Sequence, residues 1–213
     1  MTYRLAGLPA GEATGRRDEL IALCARAFCG APWHEPPARA VRTVDRLLGS
    51  AAGRPGFLAV AAFGPDDGLR GFAAGWTDTA LSGDEPAFEL AELVVAPAHQ
   101  GLGLGRALHD ALLTALPPGP RRLMTLDVPE LTERYARWGW AVAERRRPGT
   151  TDREYVVMHR NDGTDGTDGA GGAGGAGRPD GTGRAGGADG ADGIHGADGS
   201  DGTDRADLTA PAV

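Results

Sequence analysis

One stretch of the chain, residues 88 to 113, constrains the fold more than any other. It reads FELAELVVAPAHQGLGLGRALHDALL. Its first part is an apolar run from Leu90 to Val95, which only Glu92 interrupts, and Pro97 lies just beyond it. A run of this length and branched content is typical of a buried β-strand.

A glycine-rich loop and then a helical pattern follow this strand. Glycine occupies positions 101, 103 and 105, and apolar residues then recur at the spacing of one helix face, at Leu104, Ala107, Leu108, Ala111, Leu112 and Ala115. The N–H groups in the first turn of a helix lack partners within the helix, and the helix dipole places positive charge there. Strand, glycine loop and helix in this order favour a phosphate-binding site, with a tight turn that binds nothing as the alternative.

The spacing of the glycines excludes two common phosphate-binding motifs. A dinucleotide-binding loop needs a third glycine at position 106, where Arg106 stands. A Walker loop needs lysine, and all 22 basic residues of the chain are arginine. The lack of lysine also excludes catalysis through a lysine Schiff base.

A second pattern lies about 30 residues beyond the glycine loop. The loop reads Gln-x-x-Gly-x-Gly, formed by Gln100, Gly103 and Gly105, and the second pattern, Tyr135 to Trp140, reads Tyr-x-x-x-Gly-Trp. In this order they resemble the acetyl-CoA-binding motif and the Tyr-x-x-x-Gly-Phe signature of the GNAT N-acetyltransferase superfamily. The resemblance covers roughly residues 1 to 160.

This resemblance implies a fold and an activity. The expected fold is an α/β (α+β) architecture in which helices flank a central mixed β-sheet. The expected activity is direct transfer of the acetyl group from acetyl-CoA to an amine of a small molecule or a protein, without a metal. The alternative is a non-catalytic acyl-CoA-binding module that keeps the fold and the loop.

The resemblance also implies where acetyl-CoA binds. Its pantetheine arm would bond to the backbone of Leu93, Val94 and Val95, and an N–H group of Val94 or Val95 would stabilise the oxyanion. Its pyrophosphate would bind the loop residues, which are Gln100, Gly101, Leu102, Gly103, Leu104, Gly105 and Arg106. The side chain of Arg106 either adds a charged contact or is an ordinary surface arginine.

Three residues are candidates for proton transfer. The resemblance makes Tyr135 the acid that protonates the departing thiolate, although the segment from Asp127 to Tyr135 is shorter than usual and lacks the asparagine of many family members. Glu89 and Glu92 are both candidates for the base, and a water relay is a third option. Because they are three residues apart on a strand, they are predicted to lie on opposite faces, with Glu89 on the side of Leu93 and Val95.

The resemblance also implies that the acceptor site lies at the linker between the first two predicted helices, which commonly borders the acceptor in this family. This linker contains Trp33, His34 and Glu35 among several prolines. Trp33 would form an aromatic wall and Glu35 would anchor the amine. A proline-rich surface loop without a function is the alternative.

Composition divides the chain at about residue 160. Residues 161 to 213 contain 17 of the 35 glycines, ten aspartates, three arginines and no aromatic residue, so they carry the whole net charge of −7. Such a segment buries too little apolar surface to offset its ordering entropy, and it is predicted to be a disordered acidic tail. Its three-residue glycine period lacks the proline of collagen. The body, residues 1 to 160, is neutral and has no basic patch for nucleic acid.

Other features of the sequence bear on the thiol chemistry, the localisation and the oligomeric state of the protein. Cys24 and Cys29 are predicted to be buried free thiols on one helix, and they form neither a disulfide nor a metal cluster. The longest apolar run, residues 57 to 63, is too short to span a membrane. We expect a cytoplasmic protein, and the exposed edges of a mixed sheet are compatible with a homodimer.

The remaining elements are predicted from periodicity and from glycine and proline positions. Two helices are expected, one ended by Gly30 and one from Pro37 to Gly49 with a buried face of Val41, Val44, Leu47 and Leu48. A helix is also expected at 129–138. The other predicted strands are at 2–8, 57–63, 69–76, 123–128, 140–145 and 155–159.

Overall fold

A computed structural model describes residues 2–83, 85–148 and 152–161. The helices are α1 (Ala10–Gly15), α2 (Arg17–Phe28), α3 (Pro37–Gly53), α4 (Leu104–Thr114) and α5 (Pro129–Arg137). The strands are β1 (Arg4–Gly7), β2 (Leu58–Phe63), β3 (Leu69–Asp78), β4 (Ala87–Val95), β5 (Pro120–Leu126), β6 (Ala141–Arg146) and β7 (Tyr155–Asn161). The predicted tail, 161–213, lies outside the described residues except for Asn161.

The strands form one mixed sheet with helices on both faces, which confirms the predicted fold class. Its strand order is β1-β2-β3-β4-β5-β7-β6. Neighbouring strands are antiparallel except for β4 and β5, which are parallel because α4 crosses over between them. The strand that precedes the glycine loop is thus at the centre of the sheet.

The sheet separates two apolar cores. One face, called here the α2/α3 face, packs against these helices through Leu20, Leu23, Phe28, Val44 and Leu47. The other, called the α4 face, packs against Leu104, Leu108 and Leu112 of α4, and its core also contains Tyr135 and Trp140. Burial of these side chains is the main stabilising contribution to the fold.

β4 and β5 pair over only a short length. Their register runs from Phe88 opposite Arg121 to Leu90 opposite Leu123. Beyond Leu90, β4 continues to Val95 and stays paired with β3, but it has no described partner on its β5 side. The strands therefore diverge, and backbone groups at the edge of β4 are left available to a ligand.

A β-bulge in β4 changes the direction of its side chains. Glu92 pairs with Ala74 and Leu90 pairs with Gly75, so Ala91 is an extra residue without a partner on β3. An extra residue reverses the alternation of side chains from that point on. The prediction that Glu89 and Glu92 lie on opposite faces is therefore wrong, as is the grouping of Glu89 with Leu93 and Val95, which pack on the α4 face.

Other differences from the predicted elements are local. A short helix, α1, precedes the two predicted helices, and α3 continues past Gly49 to Gly53. The buried side of α3 consists of Ala40, Thr43, Val44, Leu47 and Ser50, and Val41 is 38% exposed. Cys24 is buried as predicted, but Cys29 is exposed because α2 ends at Phe28.

None of the helices in the described part of the chain is both long and apolar enough to cross a membrane.

Candidate acetyl-transfer site

The glycine loop begins where β4 ends. A single 3₁₀ turn, Pro97–His99, leads from the strand, and the Gln100 side chain donates a hydrogen bond of 3.0 Å to the carbonyl of Val95. Gly101 and Gly103 have φ values of 72° and 83°, in the left-handed region that favours glycine. Gly103 caps α4, so the N–H groups of the residues that follow it lack helical acceptors and point out of the helix end.

A cavity of about 280 Å³ lies against this loop. One wall is formed by the end of β4, the glycine loop and the first turn of α4, and the other by the end of α5. The lining residues are Val95, Gln100, Gly101, Gly103, Gly105, Arg106, Arg134, Arg137 and Trp138. Six predicted binding residues are thus brought together around one space.

Four other predicted binding residues do not line this cavity. Leu93 and Val94 are fully buried in the two cores, and Leu104 is buried on the α4 face. Leu102 is 58% exposed and lines a different surface depression with Tyr3 and His99. Within this cavity, these four residues can therefore serve a ligand only through their backbone groups.

Three arginines make the cavity electropositive. The Nε of Arg106 donates to Asp110 over 2.6 Å, and its guanidinium lies 5.6 Å from the centre of the Trp138 ring. Arg137 lies 3.9 Å from Glu133, a long contact between two exposed side chains. Positive charge and free helix N–H groups together suit a phosphorylated ligand.

Tyr135 is fully buried on the α4 face. Its ring makes edge contacts with Trp138 and Trp140, with ring centres 5.4 and 6.4 Å apart. Burial raises the pKa of its hydroxyl well above the ordinary value, so the hydroxyl stays protonated at neutral pH. Its hydroxyl has no hydrogen-bond partner among the described residues.

Glu92 is fully buried on the α2/α3 face. Its Oε1 accepts a hydrogen bond of 2.5 Å from Arg46 of α3, and its Oε2 has no partner in the described part of the chain. Burial raises the pKa of Glu92 to about 7, although the charge of Arg46 opposes this shift. A carboxyl group with this pKa can accept a proton near neutral pH.

Glu89 is also buried, and its carboxylate is held by the backbone. Its Oε1 accepts a hydrogen bond of 2.8 Å from the N–H of Leu81 in the β3–β4 loop. Burial raises the pKa of Glu89, while this hydrogen bond opposes the shift. Leu81 belongs to the core of the α2/α3 face, so both candidate bases lie on that face.

The two predicted acceptor residues have different environments. Trp33 is only 1% exposed and is part of the α2/α3 core, so its indole does not form an open wall. Glu35 accepts a hydrogen bond of 3.1 Å from Arg153, which links the α2–α3 loop to the segment before β7. Its carboxylate is therefore already paired with a cation.

The match to a family model agrees with this geometry. The model of the acetyltransferase (GNAT) family matches residues 20–145. The chain belongs to the GNAT acetyltransferase family. A search of curated protein sequences finds no match.

Solved structures with the same fold include other GNAT proteins. A GNAT-family protein described as a putative acetyltransferase from Desulfovibrio desulfuricans is 22% identical, with a TM-score of 0.53, and the match covers 76% of this chain and 100% of that one. The ribosomal-protein-S18-alanine N-acetyltransferase of Escherichia coli is 17% identical, with a TM-score of 0.53 and coverages of 78% and 97%. The PaiA N-acetyltransferase of Thermoplasma acidophilum, solved with coenzyme A, is 15% identical, with a TM-score of 0.50 and coverages of 76% and 99%.

Several residues of this GNAT site were not predicted from the sequence. Arg46 contacts Glu92 across 46 positions of sequence, and Arg134, Arg137 and Trp138 line the cavity from α5. The Tyr135 to Trp140 motif contains Arg137 and Trp138 and directly follows Arg134, so it was the available signal for these residues. No local signal marks Arg46, because its partner is on a distant strand.

A further residue not predicted from the sequence is Thr125. Its side chain is fully buried, and its hydroxyl lacks a partner among the described residues. Thr125 pairs with Val156, which belongs to the α4-face core, so its side chain lies on the same face as Tyr135. The hydroxyl groups of Thr125 and Tyr135, both buried and both without a partner among the residues that the structure describes, therefore lie on this face.

Proposed function

We propose that this GNAT acetyltransferase transfers an acetyl group from acetyl-CoA directly to the nitrogen of an amine. The observation that carries the proposal is the position of the cavity. At one end, the cavity is lined by the N-terminal turn of α4 and by three arginines, which suit phosphates. At the other end it reaches Val95, on the part of β4 from which β5 has diverged. This arrangement fits a long ligand with phosphates at one end and a narrow arm that reaches into the sheet.

The backbone and the loop would hold acetyl-CoA in this site. N–H groups from Gly101 to Arg106 would bind the pyrophosphate, and the open edge of β4 up to Val95 would bond the pantetheine arm. An N–H group of Val94 or Val95 would stabilise the negative charge that develops on the carbonyl oxygen of the thioester. The pantetheine arm and the oxyanion would thus both bind backbone groups of β4 beyond Leu90, where β4 has no described pairing with β5.

The two faces of the sheet would divide the proton transfers between them. Glu92, on the α2/α3 face, has a carboxylate oxygen that no described residue contacts by a hydrogen bond, and its pKa is near neutrality, so it would accept the proton of the attacking amine. Tyr135, on the α4 face, would donate a proton to the departing thiolate. The divergence of β4 from β5 connects the faces, so the thioester would lie between the base and the acid.

The acceptor is proposed as an amine of a small molecule or a protein. Solved structures with this fold include an enzyme described as acetylating the alanine of ribosomal protein S18 and an aminoglycoside 6'-acetyltransferase. Glu35, in the loop between α2 and α3, accepts a hydrogen bond from Arg153 and would anchor the amine with the same carboxylate. Trp33 would support this loop from the core.

The experiment that tests the function combines binding with turnover. We expect calorimetry of the full chain to show micromolar binding of acetyl-CoA and no binding of NADH. Release of the CoA thiol is then measured across a library of primary amines and peptides. Lack of acetyl-CoA binding contradicts the proposal, and binding without thiol release for any amine indicates the non-catalytic module.

The variant Tyr135→Phe tests the proposed acid. We expect kcat to fall by about 10- to 100-fold, because the thiolate would leave without its proton donor. Acetyl-CoA affinity is expected to stay within about twofold, and stability to stay equal or rise by about 1 kcal/mol, because a buried hydroxyl without a partner is removed. An unchanged kcat with a positively identified acceptor excludes Tyr135 as the acid.

A further inference from the structure

Two arginines of α5 add positive charge to a cavity whose glycine loop can already bind a pyrophosphate through its N–H groups. The loop already offers neutral N–H groups on one wall of the cavity, and Arg106 beside them forms an ion pair with Asp110. Arg134 and Arg137 line the opposite wall. Since they are three positions apart on one helix, their side chains lie on adjacent turns of the same side.

These two guanidinium groups carry positive charge that the carboxylates in the described part of the chain barely compensate. No carboxylate of the described residues lies within ion-pair distance of Arg134. The contact of Arg137 with Glu133 is 3.9 Å long, and the Arg137 side chain is 66% exposed. Ion pairs of this length between exposed groups contribute little, so Arg137 is available to a stronger anion.

Acetyl-CoA, the proposed donor, contains an anionic group that the two arginines of this wall can bind. Coenzyme A carries a phosphate monoester on its ribose 3′-hydroxyl in addition to the pyrophosphate, and a monoester has a charge of about −1.5 to −2 at pH 7. Paired guanidinium groups bind such a group through charge-assisted, often bidentate hydrogen bonds. In the proposed binding mode the pantetheine arm would run inward along β4, so the ribose end would lie toward the exposed rim where Arg137 is found.

We propose that Arg134 and Arg137 bind the 3′-phosphate of the donor and make the enzyme select 3′-phosphorylated CoA thioesters over donors that lack this group. The inference rests on the proposed function, because it assumes that acetyl-CoA occupies the cavity. It assigns to the α5 wall a specificity that is separate from the pyrophosphate contacts of the loop. Thioesters carried on a bare phosphopantetheine arm would be poor donors for the same reason.

The test compares acetyl-CoA with acetyl-3′-dephospho-CoA by calorimetry on the full chain. We expect the wild type to bind acetyl-CoA about tenfold or more tightly, the effect of one good phosphate contact. In the double variant Arg134→Ala, Arg137→Ala, the preference should disappear, while affinity for the dephospho compound stays within about twofold. The matched control is Arg26→Ala, which removes an exposed arginine of α2 outside the cavity and should keep the full preference.

Each other outcome has a distinct meaning. Equal binding of the two thioesters by the wild type overturns the inference, while the proposed function stands because acetyl-CoA still binds. Equal weakening of both compounds in the double variant also overturns it, because the arginines then contact the pyrophosphate instead. Binding of neither compound by the wild type is a failure of the proposed function itself.

Discussion

Replacement of Glu92 by glutamine is expected to lower kcat by about 100-fold or more, the usual contribution of a general base. Glutamine keeps the size of the side chain and its contact with Arg46, but it cannot accept the proton of the amine. Glu92 lies on the α2/α3 face, away from the phosphate cavity, so acetyl-CoA affinity should stay within about twofold. Thiol release under saturating acetyl-CoA measures the effect.

The pH dependence of activity gives a second signature of Glu92. The base must be ionised, and the pKa of Glu92 is raised to about 7 by burial. In the wild type, kcat/KM for acetyl-CoA at a saturating concentration of the acceptor should therefore rise with pH up to about 7 and then level off. In Glu92→Gln this rising limb should be absent from the residual activity.

The same shift predicts a pH effect on stability. Between pH 4.5 and about 7 the unfolded chain has lost the Glu92 proton while the folded protein still holds it, so the folded state binds more protons. Stability must then fall as pH rises through this window, by roughly 3 kcal/mol for this group. Urea unfolding at pH 5 and pH 8 should show a smaller fall for Glu92→Gln than for the wild type.

Glu89→Gln is the matched control for these measurements. Glu89 is a buried carboxylate on the same strand and face, but its oxygen is occupied by the N–H of Leu81. A glutamine oxygen can accept that hydrogen bond, so kcat should stay within about threefold. A large loss in Glu89→Gln and none in Glu92→Gln would make Glu89 the base, and no loss in either would favour a water relay.

The strand, loop and helix of residues 88 to 113 were predictable because their signals are local. The apolar run corresponds to β4, and the apolar spacing from Leu104 corresponds to α4. The positive φ values of Gly101 and Gly103 explain why glycine stands there. Each of these features depends on residues within one or two turns of the chain.

The position of the bulge was not predictable, because it depends on a neighbouring strand. Ala91 is left unpaired where β4 meets Gly75 of β3. A Cβ atom at Gly75 would collide with the carbonyl oxygen of Glu89 and with the ring of Phe88, so the close approach requires glycine on the partner. The sequence of β4 alone therefore predicts the wrong face for Glu89.

The end of α3 and the contact of Arg46 with Glu92 were also not predictable, because both depend on tertiary packing. Gly49 was predicted to end the helix, since glycine costs about 1 kcal/mol in a helix interior. The helix nevertheless continues, and Ser50 in its next turn is buried. Tertiary packing thus overrides local propensity, and it also brings Arg46 to a carboxylate on a distant strand.

A side chain at Gly105 is expected to weaken acetyl-CoA binding by about 100-fold without damage to the fold. Gly105 lies in the first turn of α4 and lines the cavity, so the side chain of Gly105→Gln would occupy the space proposed for the phosphates. Glutamine is a much better helix former than glycine, which should raise the stability of α4 by several tenths of a kcal/mol. Binding and stability should therefore change in opposite directions, and calorimetry with thermal unfolding measures both.

Gly49→Gln separates the two effects. Gly49 lies within α3, is exposed, and has no atom near the position of an added Cβ, so the variant has the same helix gain on another surface. Its stability should rise in a similar way while its affinity for acetyl-CoA stays at the wild-type value. If Gly105→Gln also binds acetyl-CoA like the wild type, the phosphates do not lie on the first turn of α4. The glycine loop would then be only a tight turn between β4 and α4, and the proposed donor site would have to be abandoned.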